Sequence, residues 1–184
     1  MRKALITIFV LFVGANCTCA HDPTLKSGKG KNTIVEYLNN AKIDTTTKCW
    51  QIVFNMPNSP SIVFMPFEVT PGYMPITDII IMPDIEYMPV EVEYLITWFH
   101  ELGHSTNHKT RLNRDIPRYA EEIVAELIAI RLAQNCDLEH RDWIDSAAYI
   151  QIWLDATPKD AIISTEDYQH MATQGANYIL GIQP

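Results

Sequence analysis

The chain has 184 residues, with 14 Lys+Arg against 22 Asp+Glu, 47% apolar and 20% charged residues. It is long and apolar enough for one domain with a real core, which excludes disorder as its main state. A formal net charge of -8 and a pI near 5.1 argue against a nucleic-acid binder, four cysteines are too few for a disulfide-built miniprotein, and no apolar run has the length of a membrane-spanning helix.

Met1-Arg2-Lys3, the apolar run from Ala4 to Ala15, and small residues at Thr18 and Ala20 have the form of an export signal cleaved after Ala20. The expected location is therefore periplasmic or secreted, with no stable membrane association after cleavage. Cytoplasmic retention, or anchoring by an uncleaved N-terminus, is the alternative. Cleavage removes Arg2 and Lys3 and no acids, leaving 12 basic and 22 acidic residues. It leaves Cys49 and Cys136, which could pair in an oxidising compartment or stay as buried thiols.

Residues 21–32 are polar and rich in Gly and Lys, the composition of a linker. Ile34, Tyr37 and Leu38 are spaced for one short helix over Thr33–Ala41. The chain thus divides into a signal (1–20), a linker with a short helix (21–48) and a domain (49–184).

Gln51–Asn55, Ser61–Phe64 and Asp78–Met82 are short β-branched or aromatic runs, predicted as the three strands of a small sheet. The prolines between them keep the strands short. Five Met-Pro pairs (56–57, 65–66, 74–75, 82–83, 88–89) carry no assigned role at this level.

Beyond Pro89 the pattern turns helical. Val92, Leu95, Ile96, Phe99 and Leu102 recur at three- and four-residue steps and predict a buried stripe. A second helix is expected over about Arg118–Asn135 and a third over about Ser146–Ala156. A fourth starts at Ser164 or Thr165, where a cap and two acids suit a helix N-terminus, and stops near Gly181. A β-rich first half and an α-rich second half make the fold α+β: a sheet of about three strands, an active-site helix and three further helices.

His100-Glu101-Leu102-Gly103-His104 is an H-E-x-x-H motif inside the first of these helices. Residues four apart share a helix face, so both imidazoles can reach one Zn²⁺. Glu101 is placed as general base toward a water on that ion. A catalytic zinc needs a third protein ligand. His108 lies a further turn along, too far to close the site. Asn107 and Thr110 stand where the extended metzincin pattern has Gly and His, which disfavours that class. An acid from the second helix remains, with Glu122 expected and Glu121 its rival. Glu126, one turn beyond Glu122, is placed to orient a ligand imidazole. Ala125 on that side lets the two helices approach closely. Arg111 and Arg114 either meet a substrate carboxylate or, the favoured reading, pair with nearby acids and fix the loop between the helices. Tyr73 and Tyr119 are expected to pack, with oxyanion stabilisation the alternative.

His100-Glu-Leu-Gly-His104-Ser-Thr, Arg111-Leu-Asn-Arg114 and Tyr119-Ala-Glu-Glu-Ile-Val-Ala-Glu-Leu127 resemble the C-terminal metallopeptidase domain of ArdC-type antirestriction proteins. The resemblance covers roughly residues 50–181. It implies a zincin-like fold of the gluzincin type, with His100, His104 and Glu122 as metal ligands and Glu101 catalytic. The family's N-terminal single-stranded-DNA-binding domain has no counterpart among the residues before the resemblance begins, so DNA binding is not carried over. The expected function is zinc-dependent hydrolysis of a peptide or protein substrate. The alternatives are a non-enzymatic metal-containing binding module, or a mobile-element protein acting on host defence. A two-His, one-carboxylate site also accepts Mn²⁺, Fe²⁺ or Co²⁺.

Overall fold

A computed structural model describes residues 27–28, 44, 47–88, 90–138, 143–161 and 163–182. The export signal and the short helix read at Thr33–Ala41 lie outside the described residues.

The elements run β1 (Ser27–Gly28), α1 (Lys48–Asn55), β2 (Ser61–Met65), β3 (Gly72–Met74), β4 (Ile79–Pro83), α2 (Glu91–Ser105), α3 (Arg118–Asn135), α4 (Trp143–Asp155) and α5 (Thr165–Ile179). Single 3₁₀ turns occupy Ile85–Tyr87 and Lys159–Ala161. The α+β class and the succession of the helix carrying His100 and His104 and three more are as the sequence implies. Among the described residues no helix is long and apolar enough to cross a membrane.

Two segments differ from the sequence reading. Gln51–Asn55, expected as a strand, is the end of helix α1. Its apolar run fits either period, because Cys49, Trp50, Ile52 and Val53 also bury one helical face. The strand the sequence reading lacked is β3, at one edge of the sheet, which comes from a segment without strand-like alternation. Ser27–Gly28, read as linker, pairs antiparallel with Val63 and Ile62 of β2.

Strand order is β1-β2-β4-β3, with β2 and β4 parallel and β3 antiparallel to β4. Ile62 lies beside Ile80 and Phe64 beside Met82, and all four are buried on one face. Helix α2 packs on that face through Trp98, and α1 packs against α2. Trp98 of α2 meets Trp50, Phe64 and Tyr94 edge-on at 5.4, 5.6 and 5.8 Å between ring centroids, the geometry aromatic quadrupoles favour. Tyr94 Oη donates to Pro83 O at 2.9 Å, fixing the start of α2 to the end of β4.

Four of the Met-Pro pairs have a shared structural role. They stand at the ends of α1, β2, β3 and β4. Proline restricts the residue before it to extended backbone and offers no N–H, so each pair stops its element.

Candidate metal centre

Helix α2 buries Tyr94, Leu95, Trp98, Phe99 and Leu102. That anchoring turns His100 and His104 toward α3, which packs alongside. Gly103 makes the approach possible: a Cβ there would meet Ala125 Cα and O at 3.0 Å and its Cβ at 3.3 Å. These are mostly backbone atoms that cannot swing aside. Overpacking costs about 1–3 kcal/mol, against about 1 kcal/mol gained by replacing a helical glycine. Gly103→Ala is therefore expected to lower the melting temperature by a few degrees and to weaken metal retention, because it pushes α3 and its acids away from the histidines. A thermal melt beside metal analysis checks this; an unchanged melt and metal content would contradict it.

The three side chains meet in a small triangle. His100 Nε2 and His104 Nε2 are 3.0 Å apart, His104 Nε2 and Glu122 Oε2 3.3 Å, and His100 Nε2 and Glu122 Oε2 3.6 Å. A tetrahedral ion about 2.0–2.1 Å from each donor sets those donors ~3.3 Å apart. The observed edges bracket that value, so the donor set fits a divalent ion of this kind. Among the described residues, His100, His104 and Glu122 are the group brought together in this way.

Each donor has its own support. Glu126 Oε2 accepts from His100 Nδ1–H at 2.9 Å, which leaves Nε2 facing the centre. Glu121 Oε1 lies 3.7 Å from His104 Nδ1, on the far side of that ring from the triangle. Arg114 claims the same carboxylate, donating from Nη2 to Oε1 at 2.8 Å and from Nη1 to Thr106 Oγ1 at 2.9 Å. Glu121, the rival ligand on sequence grounds, thus stands behind His104 rather than in the triangle. Arg114 pairs with an acid, the reading the sequence favoured, and Arg111 does likewise with Asp78.

Two further supports go beyond the sequence reading, one across helices and one at the i,i+4 spacing within α3. Tyr149 Oη of α4 donates to Glu122 Oε2 at 2.7 Å, and its ring packs edge-on against His100 at 5.7 Å. Arg118 Nη2 reaches Glu122 Oε1 at 3.2 Å. Tyr149 falls in the third helix the sequence predicts, but no local signal says which element its side chain meets.

The charges interlock. Burial alone would lower the His100 pKa, but hydrogen bonds to Glu122 and Glu126 outweigh it and push it up to about 10. His104 is raised for the same reason by Glu121 and Glu122. Burial would raise Glu122, yet both imidazoles hold it well below the usual carboxylate range. Burial and the charge on Glu122 push the Tyr149 hydroxyl up, so it stays a donor at neutral pH.

Glu101 is buried on the same helix, and its charge acts on both imidazoles. His108 lies past the end of α2 and bonds Thr110 Oγ1 at 2.8 Å, so the helix face carrying His100 and His104 stops before it. Tyr73 Oη donates to Asp78 Oδ1 at 2.8 Å, and Tyr119 Oη to Ala161 O at 3.4 Å. Both hydroxyls serve structural acceptors.

Known proteins share this arrangement of sequence. A family model described as zincin-like metallopeptidase matches residues 67–165. A DNA primase, TraC, of Escherichia coli is 37% identical over 97 residues, 49% of this chain and 9% of that protein. An uncharacterized protein of Sinorhizobium fredii is 34% identical over 95 residues, 48% of this chain and 31% of its own length. The Mn(II)-bound crystal structure of the antirestriction protein ArdC from plasmid R388 aligns with a TM-score of 0.55 and 28% identity, covering 72% of this chain and 51% of that one. The chain therefore spans a small part of the curated relatives it matches and about half of the solved one. The resemblance carried by residues 100–127 and the α+β zincin-like fold both hold against these comparisons.

Proposed function

The chain belongs to the zincin-like metallopeptidase family, and from that premise we propose that it is a zinc-dependent peptidase with His100, His104 and Glu122 as its ligands. The observation that carries this reading is the donor triangle of 3.0, 3.3 and 3.6 Å beside Glu101. When bound, a divalent ion supplies Lewis acidity, lowering the pKa of water to about 7 and polarising a carbonyl.

The chain's own residues do the rest. Glu101 takes a proton from the attacking water on its carboxylate and returns it to the leaving amine. Glu126 and Glu121 stand behind His100 and His104 and fix the direction of each ring. Tyr149 and Arg118 hold the two oxygens of Glu122, one each, so that Oε2 faces the histidines. The substrate we assign is an extended peptide that adds a strand to the outer edge of β3, which pairs with β4 on its other side.

Manganese is the alternative ion, since the related ArdC structure is Mn(II)-bound and two imidazoles with one carboxylate accept both metals. The likeness to an antirestriction protein favours a second reading, in which the chain counters host defence. The N-terminus separates the two. Recovery of chain beginning at His21 outside the cytoplasm supports an exported peptidase; full-length chain retained in the cytoplasm supports the second reading.

The direct test is elemental analysis of the purified protein beside a Glu122→Ala variant. The expected result is about one zinc per wild-type chain, lost or sharply weakened in the variant. A folded wild-type chain that retains no added divalent ion would overturn the reading.

A further inference from the structure

Away from the candidate centre, two thiols meet across the fold. Cys49 lies in the first turn of α1 and is 5% exposed; Cys136 ends α3 and is half-buried. Lys48 Nζ donates to Asn135 O across 87 positions of chain. That bond ties the start of α1 to the end of α3, where the next residue of each element is a cysteine, and the Cys49 thiol lies near enough to Cys136 to help push its thiol up.

Both partners are held in place. The Cys136 N–H bonds Leu132 O and Ala133 O at 3.1 Å. Asp137, at φ 56, donates to Gln134 O and Leu138 to Ala133 O, a left-handed helix end that fixes the backbone on both sides of the cysteine. Cys49 is flanked by the buried Trp50 and sits one turn from the buried Ile52 and Val53.

We propose that Cys49 and Cys136 form an intramolecular disulfide when the chain meets a small-molecule disulfide oxidant. Cys136, the more accessible thiol, loses its proton and attacks one sulfur of the oxidant, releasing one thiol and leaving a mixed disulfide. Cys49 then loses its proton and attacks the Cys136 sulfur, releasing the second. Two protein thiols are oxidised, one small disulfide is reduced to two thiols, and the two protons pass to the departing thiolates. Burial and the Cys49 sulfur push the Cys136 thiol up, while the Lys48 ammonium pulls it down. The closed loop contains His100, Glu101, His104 and Glu122. It stabilises the whole site by restricting the unfolded chain rather than by touching the donors.

The test is to equilibrate the full chain with oxidised glutathione or with dithiothreitol, then digest it without reduction and identify cross-linked peptides by mass. The expected result is a Cys49–Cys136 peptide pair in the oxidised sample, with a melting temperature ~10 °C above the reduced one. Cys136→Ser, at a half-exposed position, keeps the fold and loses both effects; Cys49→Ser does the same from the buried side. The proposal is overturned if both cysteines are recovered as free thiols after oxidation, or if the cross-links run only through Cys17, Cys19 or a second chain.

Discussion

Glu101→Gln is expected to cut peptide hydrolysis by ~10²- to 10⁴-fold while metal content stays at the wild-type level. Glutamine keeps the shape and burial of the side chain and removes only its capacity to accept a proton. Glu101 is not among the three donors of the triangle, so its replacement leaves all of them in place. It is also absent from the contacts that join α2 to α3 there, which run through Glu121, Glu122 and Glu126. The measurement is kcat/KM on a peptide recovered from a library, beside elemental analysis of the same preparation. Wild-type cleavage by the variant would remove Glu101 from the reaction. Loss of metal together with activity would instead give it a structural part.

The second large effect is on stability. The Arg111 side chain is wholly buried, and its guanidinium spans three segments. Nη1 and Nη2 grip the two oxygens of Asp78 at 2.8 Å each, Nη1 also reaches Ser105 O at 3.0 Å, and Nε reaches Asn58 O at 2.8 Å. Asp78 sits at φ 54, a left-handed conformation that a non-glycine residue adopts at some cost. Its carboxyl would rise on burial, but Arg111 and the Tyr73 hydroxyl hold it below its ordinary value. Arg111→Ala takes two charged bonds from the Asp78 carboxylate, which keeps only the Tyr73 hydroxyl among these, and removes a donor from Ser105 O and from Asn58 O. The expected loss is about 3–5 kcal/mol, the usual cost of breaking a buried pair from one side. Arg111→Lys recovers only part of it, since an ammonium cannot form the two-pronged contact. Urea unfolding of the three proteins checks this. A loss below about 1 kcal/mol for the alanine variant would reduce the pair to an ordinary surface contact.

The sequence and the structure agree where spacing alone determines geometry. His100 and His104 share a face because they are four apart on a helix, and Glu122 and Glu126 share one for the same reason. Gly103 opposite Ala125 was half visible, as a small residue on the facing helix. Disagreement arises where a contact depends on distant chain. Tyr149 reaches Glu122 only because α4 folds back over α3, and nothing between residues 127 and 149 encodes that direction in a short window. Glu121 and Glu122 are adjacent acids of equal chemistry. Arg114, from the loop before α3, draws one of them behind His104 and leaves the other in front. Gln51–Asn55 shows the limit of periodicity: five residues are too few to separate a buried strand from a buried helix.

The close packing of α2 against α3 also bears on inheritance. The side chains that bond or ion-pair with the three donors, Glu121, Glu126, Arg118 and Tyr149, come with them from residues 100–149, and the Asp78 brace lies ahead of that stretch. Such a site can travel as a single genetic segment. It can be spliced into a longer polypeptide without recruiting groups from the host, and selection can then rewrite whatever flanks it while the donors keep their relative positions.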